Sequence, residues 1–270
     1  METTEIKPNL GIDQITVTIQ GGSGTGKTNW AFMFGVAEGN HIGVVDADNK
    51  VLPAIHAFGE RVQKAPNITV RSPQLSAQGA LLPPNTSGRW KRFQAINDEF
   101  IANPKVTHIQ WDTVTALQTM KKNDCIATNP ASPKQSKTGG KEIMAQSDWG
   151  FMTDEFEAEM VKVITSGKTL IMLVHEAPVK DKEGNVLGLK PDLQGGLVNL
   201  IPKYSSEWWL AEVAAIGMNA KYTLRTTPKG NQAFKTALGL PSVFEFDYKV
   251  FQEKLTKLEE SPWLKNVLMG

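Results

Sequence analysis

Cysteine is nearly missing from this sequence: Cys125 is the only one. No disulfide can form within the chain, which suits a reducing compartment. An excess of either charge is missing as well. The 29 Lys and Arg stand against 28 Asp and Glu, a formal net charge of +1. No global field therefore draws the chain to a polyanion, and any such contact has to come from local patches. No apolar run approaches the roughly 20 residues that a membrane span needs. The opening stretch METTEIKPNLGIDQ lacks the basic-then-apolar layout of a signal peptide. Both lead us to expect a cytoplasmic protein with no membrane association. With one cysteine and 4 scattered histidines, and with His175-Glu176 outside metal-ligand spacing, the sequence argues against a zinc centre. No segment repeats at a solenoid or propeller period. What is present is 40% apolar and 21% charged, enough for a sizeable core in one large domain.

Along the chain, short apolar β-branched runs alternate with helical spacing. ITVTIQ (Ile15–Gln20) reads as a buried strand, KTNWAFMFGVAEG as a helix stopped near Gly39, and HIGVVDAD as a strand finishing on carboxylates. Gly88–Asn103 has helical spacing closed by Pro104, and VTHIQWD (Val106–Asp112) is a third strand ending on an aspartate. Lys121–Glu142, rich in Lys, Ser, Pro and Gly, reads as a long mobile loop. A punctuated helix runs from Ser147 to Gly167, and KTLIMLVHE is a fourth strand whose unbroken apolar run suits a strand covered on both faces. A second polar stretch, Pro178–Gly196, ends in LQGG. EWWLAEV and KYTLRTTPKG look like later, antiparallel strands, and the tail from Asp247 is helical until Pro262. The alternation predicts an α/β domain with a mostly parallel sheet, helices on both faces and no linker that splits the chain.

The stretch GGSGTGKT carries the chemistry. Gly21, Gly22, Ser23, Gly24, Thr25, Gly26, Lys27 and Thr28 fit G-x-x-x-x-G-K-[ST] between a predicted strand and a predicted helix. Glycines let backbone N–H groups close in on phosphate oxygens. Lys27 is placed to reach the β and γ phosphates, and Thr28 to offer its hydroxyl to Mg²⁺. Such a site also needs a carboxylate at a neighbouring strand end, and Asp112 in HIQWDTVTAL is the candidate; N-capping the following helix is a compatible second role. To orient a water, Asp48 or Asp46 is preferred to Glu176, all three at strand carboxyl ends where a parallel sheet forms its ligand crevice. His175 is the natural relay from that crevice to the loop behind it. Trp208 and Trp209 alternate along one strand, and core packing is their expected role.

Taken in order, GGSGTGKT, VVDAD, IQWDTVTAL, TLIMLVHE and a loop closing on GG resemble the RecA recombinase core, and above all the compact RecA-like ATPases of bacteriophages, the nucleotide-binding or single-strand-annealing proteins. The similarity runs from about Ile15 to Phe246, with specificity in the phosphate loop and the Asp112 segment. It implies ATP and Mg²⁺ as cofactors, Lys27, Thr28 and Asp112 as their ligands, and Asp48 where RecA proteins carry a catalytic glutamate, here one methylene shorter. His175 and Glu176 stand where the family often has an Asn-Gln sensor pair. The two polar stretches match the two DNA-binding loops in order. Lys121, Lys122, Lys134, Lys137 and Lys141 of the first suit single-stranded DNA phosphates, although neither loop holds an aromatic residue for base stacking. Arg225 or Lys229 falls where such proteins reach across to a neighbour's γ-phosphate in a ring or filament, and the extra N-terminal helical region of larger recombinases is missing. The resemblance also implies phage DNA recombination or repair in the host cytoplasm, with a single-strand-binding protein as a further partner. Three alternatives remain on the residues: a small-molecule kinase, for which no Arg-rich lid is seen; a helicase or helicase loader; and a weakly hydrolysing, nucleotide-dependent scaffold.

Overall fold

A computed structural model describes residues 15–129, 134–135, 142–216, 219–230, 232–237 and 239–259. In chain order the elements are β1 (Thr16–Gly21), α1 (Lys27–Phe32), β2 (Ile42–Asp46), α2 (Val51–Val62), β3 (Ile68–Arg71), α3 (Gly88–Ala102), β4 (His108–Asp112) and α4 (Val114–Thr128). Next come β5 (Lys134–Gln135), β6 (Glu142–Ile143), α5 (Gln146–Thr165), β7 (Thr169–Lys180), β8 (Val186–Pro191) and α6 (Leu197–Tyr204). The last are β9 (Glu207–Ile216), β10 (Asn219–Arg225), β11 (Lys235–Thr236), β12 (Val243–Glu245) and α7 (Tyr248–Glu259).

One sheet runs β12-β10-β9-β1-β7-β4-β2-β3, with β11 on β9 and β8 on β7. From β9 to β3 every neighbouring pair is parallel, whereas β10 and β12 add antiparallel strands at the late edge, as expected. The central strands are apolar because alternate residues feed opposite layers. On β7, Leu170, Met172 and Val174 join Trp90, Phe93, Trp111 and Phe156 under α3, α4 and α5. Ile171 and Leu173 join Trp30, Phe34, Phe58, Trp209 and Phe251 under α1, α2 and α7. Gly43 on β2 is needed for the first layer: a Cβ there would lie 2.6 Å from the Phe100 ring of α3. Trp209 stacks on Phe34 at 6.2 Å, and Trp208 joins a small cluster with Leu210 and Phe234, so both tryptophans are core residues.

The structure departs from the sequence reading at several places. The first helix stops at Phe32 and tightens into a 3-10 turn over Phe34–Val36, which carries Phe34 into the core. Residues 51–71, unassigned by the sequence pattern, form α2 and β3. The N-terminus of α2 is held from a distance, by Asp46 accepting from Lys50 N (3.0 Å) and Val51 N (3.2 Å), so no local capping residue announces it. The stretch expected as a loop from Lys121 is helical through Thr128. The buried stripe of α4 does have helical spacing (Leu117, Met120, Lys121, Asp124, Cys125), but two of these positions are charged and hide the period. Residues 130–133 and 136–141 lie outside the described residues. The second expected loop, Pro178–Gly196, is largely an antiparallel hairpin of β7 and β8, with Leu187 and Val186 exposed on it.

Candidate functional site

Because the central strands are parallel, β1, β7, β4 and β2 all end on one edge of the sheet. In register, Gly21 pairs with His175, Asp112 with Leu173, and Asp46 with Asp112. Every candidate from the phosphate loop, the strand-end aspartates and the His175–Glu176 pair is thereby brought to one crevice.

The loop from Gly21 to Thr28 turns through Gly24 (φ 78°) and Gly26 (φ 81°), left-handed conformations that strain any side chain. Space matters at Gly21, where a Cβ would lie 2.6 Å from Ala211 O and from Thr25 Oγ1. At Gly26 it would lie 3.3 Å from the ring of Tyr222, whose face also carries the Arg61 guanidinium at 4.9 Å. Lys27 is 6% exposed and donates from Nζ to Gly21 O (2.8 Å) and Gly22 O (2.7 Å). Burial pulls its pKa down to about 8, against the opposing pull of Asp112, Glu176 and Asp48. Because α1 has only six residues, its dipole adds little. An anion here is held by the loop N–H groups and Lys27.

Thr28 Oγ1 donates to Asp112 Oδ2 at 2.8 Å, and Gln110 Nε2 reaches the same oxygen at 3.2 Å. Asp112 is buried, and burial first, then Asp46 and Asp48, push its pKa up to about 6 despite the Thr28 bond. A carboxylate so short of positive charge, paired with a hydroxyl, fits a hard divalent cation with oxygen ligands. The buried Lys27, bonded to backbone carbonyls and to no carboxylate among the described residues, and a loop whose Gly24 opens on free space fit the triphosphate half of the same complex. Asp112 does not cap α4; Thr113 does, its Oγ1 accepting from Ala116 N at 3.1 Å.

The three other carboxylates separate by role. Asp46 is committed to the N-terminus of α2. Asp48 Oδ2 accepts from His175 Nε2 (3.1 Å) and Thr113 Oγ1 (3.4 Å), while Oδ1 accepts no bond among the described residues. Burial pushes the Asp48 pKa up, but His175, Lys50 and Thr113 together hold it below the usual carboxylate value. Glu176 accepts from Gln20 Nε2 at 2.9 Å. That buried Gln20 amide also meets Gln232 Oε1 (2.5 Å), and Gln232 in turn donates to Leu189 O on β8. Gln20, Gln110 and Tyr222 are the residues that the sequence alone does not single out, because neither amides nor a lone tyrosine carry a motif.

The remaining candidates fall elsewhere. Lys121, expected on a loop, is 4% exposed on α4 and bonded to Asp124 (2.7 Å) and Glu155 (2.8 Å). It cannot reach a nucleic acid without breaking a buried ion pair. Lys122 is half-buried on the same helix, and Lys134 lies in β5. Lys137 and Lys141 lie outside the described residues. Arg225 and Lys229 both pair with Glu212 of their own chain, Arg225 at 2.9 Å. Lys229 and Glu212 line a cavity of about 750 Å³ with Gly22, Thr25 and Glu176, beside the phosphate loop.

Fold and crevice together define a RecA-like P-loop ATPase fold. Residues 13–235 match the family model described as an AAA domain (AAA_24), and the chain belongs to that family. No curated protein matches the sequence. Among solved structures, the flagellar accessory protein FlaH from Methanocaldococcus jannaschii is similar at 10% identity and a TM-score of 0.44, over 86% of this chain and 84% of that one. No described helix is long and apolar enough to cross a membrane.

Proposed function

We propose that this protein hydrolyses ATP with Mg²⁺ and uses the cycle to switch its hold on single-stranded DNA, in phage recombination or repair. The observation that carries the hydrolytic half is the buried Lys27 beside the Thr28–Asp112 pair. When bound, Mg-ATP supplies the phosphoryl group to be cleaved and the cation that offsets its charge. Lys27, released from the Gly21 and Gly22 carbonyls, holds the phosphates, and Thr28 and Asp112 provide oxygen ligands. Asp48 stays ionised at neutral pH, so it orients a water through Oδ1 and is a weak base; His175 fixes its direction.

The DNA half is supported by the connections of His175. Its side chain holds Asp48, its N–H reaches Thr115 on α4 (3.1 Å), and its C=O accepts from Asp192 behind the β7–β8 hairpin (2.7 Å). A change at the crevice is thus passed to both segments that flank it, which suits a grip-and-release cycle. In the same reading Arg225 and Lys229 leave Glu212 for a neighbouring copy's phosphate in a homo-oligomer. The test is steady-state ATP hydrolysis by the wild type and Lys27→Ala, with and without single-stranded DNA. A Lys27-dependent rate raised by DNA supports the whole proposal; a Lys27-dependent rate indifferent to DNA overturns the DNA half. Tight ATP binding with negligible turnover favours instead a nucleotide-dependent scaffold that recruits a single-strand-binding protein.

A further inference from the structure

We infer that Gln110 is a positioning residue for Asp112: its buried amide fixes the carboxylate and makes the crevice prefer Mg²⁺ to Ca²⁺. The inference rests on the Mg-ATP reading above and adds to it what sets the choice of metal.

Gln110 stands where a strand covered on both faces calls for an apolar side chain. It is 0% exposed at the middle of β4. In register it lies between Val44 on β2 and Ile171 on β7, both members of the apolar layer under α1 and α2. His108, two residues back on the same face, lies 5.7 Å from the Phe34 ring. Within this layer the Gln110 Oε1 has no hydrogen-bond partner among the described residues. Nε2 donates to Asp112 Oδ2 at 3.2 Å, the one side-chain bond that Gln110 makes among them. A buried acceptor left unpaired costs the fold a desolvation penalty that a methionine or leucine would not incur. Gln110 is therefore a net cost to the β4 layer, and what it does there is hold an oxygen of Asp112.

The Asp112 carboxylate is held on one oxygen only. Thr28 Oγ1 and Gln110 Nε2 both donate to Oδ2, whereas Oδ1 accepts no bond among the described residues. The two donors differ in where they come from. Thr28 begins α1 at the end of the phosphate loop and is shared with the ligand. Gln110 belongs to the same strand as Asp112, so its bond does not depend on the state of the loop. A carboxylate held in this way resists turning to offer both oxygens to a metal. Mg²⁺ needs short, near-octahedral oxygen contacts, whereas Ca²⁺ takes longer, variable and bidentate ones, so loosening Asp112 harms the smaller ion more. Partners that orient a metal ligand in this way are typically worth about ten- to a hundredfold in metal affinity.

The test is binding of a fluorescent, slowly hydrolysed ATP analogue to the full chain, titrated with Mg²⁺ and separately with Ca²⁺. Thermal melting of the nucleotide-free protein without added cation accompanies it. Gln110→Met and Gln110→Leu remove the donor with little change in size, and Val44→Ala loosens the same layer but leaves the donor. We expect each Gln110 variant to need about tenfold more Mg²⁺ for half-maximal binding, with the Ca²⁺ requirement changed less than about threefold. Their melting temperatures should equal that of the wild type or exceed it by up to about 4 °C, since an unpaired acceptor has gone. Val44→Ala should do the reverse, melting lower with both cation requirements kept. An unchanged Mg²⁺ requirement in both Gln110 variants overturns the inference. So does a lower melting temperature in both, an equal loss for the two cations, or the same Mg²⁺ defect in Val44→Ala. If wild-type binding of the analogue responds to neither cation, the Mg-ATP reading itself falls, and the inference falls with it.

Discussion

Two lysines of this chain are buried to nearly the same degree, Lys27 at 6% exposure and Lys121 at 4%, and they differ in what surrounds them. On the α4–α5 seam, Lys121 is held by Asp124 and Glu155 and lies 5.4 Å from the Trp90 ring centre. Burial lowers its pKa, but the bonds to Asp124 and Glu155 outweigh that and hold it above the ordinary value. At the crevice Lys27 has, among the described residues, only backbone carbonyls within bonding distance, and its pKa falls to about 8. A structural lysine is buried with its countercharge. A lysine meant for a ligand is buried without one, and the missing charge is what the ligand brings.

Removing each lysine should therefore have opposite consequences. The largest effect belongs to Lys27→Ala: ATP hydrolysis falls at least ~10³-fold, equivalent to ~4 kcal/mol. The unfolding midpoint should stay the same or rise, because no bonded carboxylate is stranded. Phosphate release and thermal melting measure the two sides, and a large drop in melting temperature would break the comparison. Lys121→Ala should do the reverse, losing about 3 kcal/mol of stability in denaturant titration because Asp124 is left buried and unpaired, while turnover per folded molecule is kept. Next in size is Asp48→Asn. If Asp48 only orients water, turnover falls on the order of 10²-fold with nucleotide affinity nearly unchanged, which single-turnover kinetics would separate.

The smallest effects are in pH. Asp112, raised from 3.8 to about 6 in the nucleotide-free protein, binds a proton in the folded state between those values that the unfolded chain does not. Stability therefore falls, by up to about 3 kcal/mol, as pH rises through that window. Lys27 acts oppositely: between about 8 and 10.5 the unfolded chain keeps the proton that the folded site has lost, so stability rises with pH. For the ligand, affinity for Mg-ATP should drop about tenfold per unit as pH falls below about 6, because the proton competes with the cation. Calorimetric titration of Asp112→Asn should show that dependence gone.

Much of this was legible in the residues. The phosphate loop is local chemistry: glycines at left-handed positions, a lysine and a hydroxyl at fixed spacing, all within eight neighbouring residues. The four central strands were legible too, since strands covered on both faces are rich in apolar and β-branched residues, as in Ile42–Asp46 and the start of Thr169–Lys180. Other features were not, because their signals lie far apart in sequence. Gln20 meets Gln232 at a separation of 212 residues. Lys121 and Lys122 look alike in the sequence, and only the packing of α5 against α4 brings Glu155 to one and leaves the other facing a cleft.

By itself, then, the sequence determined the periodicity that makes a parallel sheet, and the local spacing that makes a phosphate cradle. Tertiary structure alone decided which of several similar carboxylates and lysines are spent on the fold and which are left over for a ligand. Compensation of charge depends on distances between residues as far apart as Asp48 and His175 or Lys121 and Glu155, and those distances exist only once the sheet and its helices have packed together.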